Sequence, residues 1–226
     1  MGKPKMRECV YCGKVERSTR DHVIPETLFE QPYPPNLITV SACKECNNDE
    51  KSLDDTYLRD ILVCDIFGNQ HENAAEGFQR LLRADRNGQS EIAREARAHT
   101  QMRPMKTIEG VYLGDFPSFS IDQERLIRIF ARIARGLYHD ARKARIPDNY
   151  IVKMRRHYPW DISAINSFFE SRHPNSRALG DVFQCSFLSA LEDPFTTEWL
   201  MLFYGSVCYS VSITNPDFLV LDISKT

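Results

Sequence analysis

The sequence predicts an α+β fold, with a zinc-stapled N-terminal module over residues 1–66 and a domain of helices and antiparallel strands over residues 67–226. Three observations lead to this prediction. Two Cys-x-x-Cys pairs lie near the N-terminus, apolar residues recur at helical spacing over 121–144, and short runs rich in Phe, Tyr, Val and Leu lie near the end of the chain. A chain of 226 residues is long enough for two domains.

The cysteine pairs are Cys9 with Cys12 and Cys43 with Cys46. Each Cys-x-x-Cys turn directs two thiolates at one point, and two such turns complete the tetrahedral shell of Zn²⁺. Because the protein would fill all four positions, we expect a structural zinc with no open position for substrate. The alternatives are buried cysteines or a redox pair.

The segment between the pairs contains two short extended runs, over residues 18–24 and 37–40. Residues from Cys43 to about Val63 carry apolar side chains at helical spacing, which predicts a helix. The predicted order is therefore cysteine turn, strand, loop, strand, cysteine turn and helix. Asn47 would lie in the first turn of that helix and face the first strand.

Four segments of this region form an ordered pattern: Cys9-Val10-Tyr11-Cys12, Asp21-His22-Val23-Ile24-Pro25, Asn36, and Cys43-Lys44-Glu45-Cys46-Asn47. The pattern resembles the HNH endonucleases, or ββα-metal nucleases, in the form with four zinc cysteines. The resemblance covers about the first quarter of the chain. It departs from the family at Asn36, which lies farther from the second cysteine pair than the family's middle Asn, and at Asn47, where His is more usual.

The resemblance implies a metal-dependent endonuclease that hydrolyses phosphodiester bonds in DNA and leaves a 5′ phosphate and a 3′ hydroxyl; RNA stays open as a substrate. His22 can act as the general base, since the pKa of histidine lies near neutrality. Asp21 and Asn47 offer oxygen ligands to a catalytic Mg²⁺ or Mn²⁺. Asn36 would brace the loop beside His22.

Each of these residues also has a simpler interpretation. His22 could be a surface histidine and Asp21 a turn acid, while Asn47 could cap the helix and Asn36 could serve only in a turn. Adjacent strand residues point to opposite faces, so spacing alone does not bring Asp21 and His22 together. Their convergence on one cleft is implied by the resemblance.

The remaining chain predicts further helices and strands. Helices are expected over 70–99, with a break near Asn87-Gly88, over 121–144 and over 161–172. Short extended pieces are expected over 104–119. Strands are expected over 181–191, 197–204 and 207–214, the last two joined by a turn at 204–206.

The helix predicted over 121–144 carries basic residues at steps of three or four, which suggests a phosphate-contacting ridge. The candidate contacts are Arg125, Arg128, Arg132, Arg135 and Arg142. Residues 121–156 contain 10 basic and 4 acidic side chains, a local charge of +6, although the whole chain carries −2. The alternatives are a solvated face, or pairing with the acidic helix of the N-terminal module.

These features predict a cytoplasmic DNA-binding protein with no membrane partner, because no N-terminal stretch resembles a signal peptide and no apolar run is long enough for a membrane span. A homodimer stays open. The main alternative to an enzyme is a non-catalytic zinc module that binds nucleic acid or protein. A nuclease fold that serves only as a scaffold for the later domain is a weaker alternative.

Overall fold

The computed structural model describes residues 6–65, 71–107, 109–157, 164–165, 167, 169 and 175–219. Over these residues the fold is mixed α+β, as predicted. The helices are α1 Asp49–Cys64, α2 Glu72–Arg86, α3 Glu91–His99, α4 Gln123–Arg142 and α5 Pro216–Leu219. The strands are β1 Met6–Glu8, β2 Val15–Arg17, β3 Thr19–His22, β4 Thr39–Ala42, β5 Gln101–Lys106, β6 Tyr112–Ser118, β7 Ile151–His157, β8 Arg177–Leu179, β9 Phe183–Ser189, β10 Thr197–Phe203 and β11 Val207–Thr214.

The N-terminal segment contains two small antiparallel pairs. Strand β1 pairs with β2, and β3 pairs with β4 in a register that places Asp21 opposite Val40 and His22 opposite Thr39. Between β3 and β4 lies one turn of 3-10 helix, Glu26–Leu28. Helix α1 follows β4, so the predicted order of strand, strand and helix is present between and after the cysteine turns.

Helix α1 begins later than the sequence suggests. Asn48 adopts an extended conformation, and its side-chain oxygen accepts a hydrogen bond from the backbone N–H of Lys51, so Asn48 is the N-cap. The prediction that Asn47 lies in the first helical turn is therefore wrong, because Asn47 precedes the cap. Its backbone N–H instead donates to the carbonyl of Cys43, 3.0 Å away, and closes the second cysteine turn.

A five-stranded antiparallel sheet forms the other half of the structure, in the order β7-β11-β10-β9-β8. The predicted turn between β10 and β11 is present, with Tyr204 and Gly205 both at positive φ. The helical region over 70–99 is divided into α2 and α3 at the expected break, and the extended pieces over 104–119 belong to the β5–β6 hairpin. Most of the helix predicted over 161–172 lies outside the described residues.

Helix α4 joins the two halves. It contacts α1 and β4 on the N-terminal side and β7 and β11 of the sheet. Gly136 of α4 lies so close to the N-terminal segment that a Cβ added there would be 2.7 Å from the side chain of Val23. One cluster of buried side chains contains residues from both sides of position 66, among them Leu58 and Phe130, so the hydrophobic core is continuous across the predicted domain boundary.

Within the described ranges, no helix combines the length and the apolar character needed to cross a bilayer.

Candidate metal centre and histidine site

The four cysteines of the two pairs lie together, as predicted. The sulfur atoms of Cys9, Cys12, Cys43 and Cys46 are all within 4.8 Å of one another. The Sγ atoms of Cys12 and Cys43 are 3.6 Å apart. A tetrahedral zinc with Zn–S bonds of about 2.3 Å requires sulfur–sulfur separations of about 3.8 Å. The cluster therefore has the ligand number, type and spacing to hold a metal ion such as Zn²⁺.

Backbone geometry explains why these sequence segments present their sulfurs inward. Gly13 has φ +75°, a conformation that favours glycine, and it turns the chain directly after Cys12. The N–H of Gly13 donates to the carbonyl of Cys9 at 2.9 Å, which closes the first turn. In the second turn the N–H of Cys46 donates to the sulfur of Cys43 at 3.4 Å.

The crowding of the sulfurs makes a bound cation favourable. Burial raises the pKa of Cys46, and the neighbouring thiols of Cys43 and Cys12 raise it further. Burial also acts to raise the pKa of Cys9, but backbone N–H groups that point at its sulfur bring its pKa below the ordinary value. Four thiols in one small volume can all ionise only when a divalent cation balances their charge, so metal binding would release protons.

Asp21 is enclosed by the protein. It is 1% exposed, and its Oδ2 accepts a hydrogen bond of 2.6 Å from the hydroxyl of Tyr11. Its Oδ1 lies 3.0 Å from the ammonium of Lys51. Lys51 also pairs with Asp55, which accepts a 2.7 Å hydrogen bond from Arg132 of α4. These residues form a buried network, called here the Asp21–Lys51 network, that connects β3 to α1 and α4.

His22 lies on the opposite face of β3 and its side chain is 31% exposed. Its Nδ1 is 3.3 Å from Oε2 of Glu26, the first residue of the 3-10 helix. Sequence reasoning overlooked Glu26, although a carboxylate four residues after a candidate base, directly following Pro25, is visible in the sequence. A carboxylate at Nδ1 fixes the imidazole tautomer and leaves Nε2 free to accept a proton.

The two asparagines have different positions. The side-chain amide of Asn47 donates to the hydroxyl of Thr19 at 2.9 Å and to the carbonyl of Arg20 at 3.3 Å. Asn47 therefore faces β3, the strand predicted over 18–24, and its hydrogen bonds connect the second cysteine turn to that strand. Asn36 is an exposed residue of the turn that follows Pro34 and Pro35.

Three of the four predicted catalytic residues thus have separate sets of partners. Asp21 contacts Tyr11 and Lys51, His22 contacts Glu26, and Asn47 contacts β3. In the part of the chain that the structure describes, the only group of three or more Cys, His, Asp or Glu side chains close enough to share a metal ion is the four-cysteine cluster. The convergence of Asp21 and His22 that the resemblance implies is not part of this geometry.

Three of the five predicted nucleic-acid contacts are engaged in hydrogen bonds and ion pairs within the protein. Arg125 donates to Asp54 at 2.7 Å and to Glu91 at 2.9 Å, and its guanidinium lies over the ring of Tyr57. Arg132 belongs to the Asp21–Lys51 network. The contacts of Arg125 with Asp54 and of Arg132 with Asp55 are pairings with the acidic helix α1, which was one of the alternatives that the sequence left open.

The remaining ridge arginines differ in exposure. Arg135 donates to the carbonyl of Ile146 at 3.0 Å, and its side chain is 12% exposed. Arg128 and Arg142 are exposed on α4. A phosphate-binding role therefore fits Arg128 and Arg142 better than the three enclosed arginines.

Comparisons of the chain with protein-family models, with curated proteins and with solved structures give no significant match. The resemblance to HNH endonucleases therefore rests on the cysteine pairs, the Asp-His-x-x-Pro segment and their order along the chain. The order of secondary-structure elements around the cysteine cluster is consistent with that resemblance.

Proposed function

We propose that this chain is a metal-dependent endonuclease of the HNH type that hydrolyses phosphodiester bonds in DNA, with His22 as the general base. The observation that supports the proposal best is the His22–Glu26 pair. It places a partly exposed imidazole, with a carboxylate 3.3 Å from Nδ1, on β3, the strand that Asn47 of the second cysteine turn hydrogen-bonds.

The proposed chemistry follows from that pair. The Glu26 carboxylate, 3.3 Å from Nδ1, favours the tautomer that carries its proton on Nδ1, so the Nε2 lone pair of His22 can take a proton from water. The resulting hydroxide attacks phosphorus as the P–O3′ bond breaks, and the departing 3′ oxygen takes a proton from solvent water to become the 3′ hydroxyl. Glu26 then stabilises the imidazolium that has formed at His22. A general base of this kind contributes about 10²- to 10⁴-fold to a rate.

A Mg²⁺ or Mn²⁺ requirement belongs to the proposal, because such an ion neutralises the charge that develops on the phosphate. Asp21 does not fit as its ligand, because the carboxylate is 1% exposed and lies 3.0 Å from the ammonium of Lys51. Asp21 is therefore assigned to the Asp21–Lys51 network. For Asp21 to bind a divalent ion in place of Lys51, β3 would have to move.

The enclosure of Asp21 favours a second candidate function. A zinc module that binds nucleic acid or protein without catalysis needs the four cysteines but has no use for an open carboxylate beside His22. In that function the ion pair between Asp21 and Lys51 would be permanent and the His22–Glu26 pair would be a surface contact.

The experiment that separates the two functions is a plasmid-nicking assay with Mg²⁺ or Mn²⁺, compared with chelator under conditions in which zinc content is measured and retained. We expect wild-type protein to nick DNA, and His22→Ala to lose activity by about 100-fold or more with unchanged zinc content. His99→Ala, at the exposed end of α3, is the matched control and should retain activity.

A labelled RNA tested in parallel distinguishes the two nucleic acids as substrates. Equal cleavage by wild type and His22→Ala would remove His22 from the mechanism. Failure of wild type to cut any DNA or RNA form, with zinc bound, would support the non-catalytic module.

A further inference from the structure

Arg20 lies on the same face of β3 as His22, because residues two apart on a strand point to the same side. The imidazole of His22 is partly exposed on this face, and Arg20 is exposed as well. Two residues of a strand span about 7 Å, a distance that the side chain of arginine can cover. This face therefore carries a cation within reach of the proposed general base.

A cross-strand hydrogen bond directs Arg20 towards His22. In the register of β3 with β4, Arg20 is opposite Ser41 and His22 is opposite Thr39. The Nε–H of Arg20 nevertheless donates to the hydroxyl of Thr39, 3.0 Å away. The side chain thus leans diagonally across the strand pair, to the residue whose Cβ lies about 5 Å from the Cβ of His22. The guanidinium is therefore held beside the imidazole.

The backbone of Arg20 is fixed from the second cysteine turn. The side-chain amide of Asn47 donates to the carbonyl of Arg20 at 3.3 Å, and the backbone N–H of Asn47 closes the turn that begins at Cys43. Arg20 is thus held at its backbone by Asn47 and at its guanidinium by Thr39. A binding group that is already held in place loses less conformational freedom when its ligand binds.

The guanidinium of Arg20 keeps the donors that a phosphate needs. The bond to Thr39 uses the single N–H on Nε, which leaves the four N–H groups on the two Nη atoms. Two of these are parallel and match two oxygens of one phosphate. A phosphate beside His22 would also lie near the carboxylate of Glu26, and the positive charge of Arg20 offsets that repulsion.

We propose that Arg20 binds a phosphodiester group of the nucleic acid through its two Nη atoms, and that Thr39 positions Arg20 for this contact. In the nuclease proposed above, on which this step rests, the bound phosphate is the one that is hydrolysed, so phosphorus lies beside Nε2 of His22. Negative charge on its oxygens increases as hydroxide attacks, and the contact therefore strengthens in the transition state.

The phosphate contact is tested first without cleavage, by fluorescence anisotropy of a labelled DNA duplex of about 20 base pairs in buffer without added divalent ions. Titrations at several salt concentrations between about 50 and 200 mM give the slope of log K against log salt. Arg20→Ala should weaken binding about tenfold and reduce the slope by about 0.9, the value for one phosphate contact. Arg20→Lys should retain the slope because it retains the charge. Arg94→Ala, which removes an exposed arginine from α3, is the matched control and should bind as wild type does.

Single-turnover cleavage with Mg²⁺ or Mn²⁺ then tests the role in hydrolysis. Arg20→Ala should lower the rate at saturating protein by about 10- to 100-fold. Arg20→Lys should stay about tenfold below wild type, because an ammonium lacks the planar pair of parallel N–H donors. Thr39→Val should lower the rate by about 3- to 10-fold, and it should have no further effect when Arg20 is already alanine.

The outcomes separate this inference from the proposed function. If wild type cuts no nucleic acid but Arg20→Ala reduces the salt slope, the phosphate contact is supported and the nuclease is not. If wild type cuts DNA and Arg20→Ala retains both full cleavage and the full slope, the nuclease stands and the role of Arg20 is overturned.

The inference is also overturned if wild type does not bind the duplex, or if Arg20→Ala and Arg94→Ala bind it alike. Equal effects of Thr39→Val with and without Arg20 would overturn the positioning role of Thr39. Circular dichroism and zinc content establish that each variant is folded. If Arg20→Ala does not fold, Arg20→Gln, which keeps much of the side chain and removes the charge, decides the outcome.

Discussion

Replacement of Lys51 by Met tests whether Asp21 is held as a structural charge. Lys51 is the cation between two buried carboxylates, since its ammonium lies 3.0 Å from Oδ1 of Asp21 and also pairs with Asp55. Its side chain is only 11% exposed, compared with 1% for Asp21 and 9% for Asp55. Methionine retains most of the volume of lysine and removes the charge.

The expected loss of stability follows from what remains after the substitution. Asp21 keeps the Tyr11 hydroxyl and Asp55 keeps Arg132, but the cation between the two acids is gone. Removal of one partner from a buried ion pair destabilises a protein by about 3–5 kcal/mol, because a buried charge is left without compensation. For a chain of this size each kcal/mol lowers Tm by about 2–4 °C, so Tm should fall by roughly 6–20 °C.

The assay is urea unfolding of wild type, Lys51→Met, Asp21→Asn and the double variant at pH 7. The double variant should lose about 1–3 kcal/mol less than the sum of the single losses, because neither charge remains there to be left alone. Lys143→Met, which removes an exposed pair with Asp140, is the matched control and should change stability little.

A loss below about 1 kcal/mol in Lys51→Met would refute this reasoning, since that is the range of exposed ion pairs. Additive single and double variants would refute it as well, because Asp21 and Lys51 would then be energetically independent. In either case Lys51 would not be the group that holds the Asp21 carboxylate in its buried position.

Three further predictions concern the cysteine cluster, the contact of α4 with the N-terminal segment, and one buried acid. Cys43→Ser should abolish stoichiometric zinc binding, measured by atomic absorption. It should also unfold the N-terminal segment, because zinc binding contributes about 10–16 kcal/mol to the folding free energy of small zinc domains. Zinc-free protein with an unchanged melting temperature would contradict this prediction. Gly136→Ala should lower the free energy of unfolding, measured in urea, by about 1–3 kcal/mol, because the added Cβ would lie 2.7 Å from the side chain of Val23. Adding Val23→Ala should recover part of that loss. A single variant with unchanged stability would contradict the close packing. At Asp193, burial acts to raise the pKa, but hydrogen bonds from Thr196 and Tyr150 bring the pKa below its ordinary value. The ionised carboxylate therefore stabilises the fold above about pH 4, and that stabilisation is lost as pH falls through the lowered pKa. The stability difference between wild type and Asp193→Asn should shrink from pH 7 to pH 3, and a constant difference would contradict the assignment.

Local patterns account for the parts of the fold that could be predicted. The cysteine cluster follows from paired spacing, because each Cys-x-x-Cys turn is a local structure. Helix α4 follows from apolar periodicity, and its observed bounds are Gln123–Arg142 against a predicted 121–144. The β10–β11 hairpin follows from two apolar runs and the short turn between them. In each case the deciding residues lie near one another in the sequence.

The partners of charged residues were harder to predict, because they come from distant segments. Asp21 receives its contacts from Tyr11 and Lys51, on opposite sides of it in the sequence, and no spacing rule connects them. The arginines of α4 follow a clear period, but the period does not tell a nucleic-acid face from a face paired with Asp54 and Asp55 of α1. That difference depends on how α4 packs against α1.

The alternation of side chains on β3 limits how this protein could use a second metal ion. Asp21 and His22 are consecutive, and the strand directs one carboxylate inward to Lys51 and one imidazole outward to Glu26. While β3 keeps this conformation, an ion bound on the His22 side would need ligands other than Asp21. Recruitment of Asp21 would require the strand to bend and the carboxylate to exchange Lys51 for the ion, at a cost near the 3–5 kcal/mol of a broken buried pair. The Lys51→Met variant removes that cost, so a nuclease that recruits Asp21 should bind its catalytic ion more tightly in this variant, whereas a non-catalytic module should only become less stable.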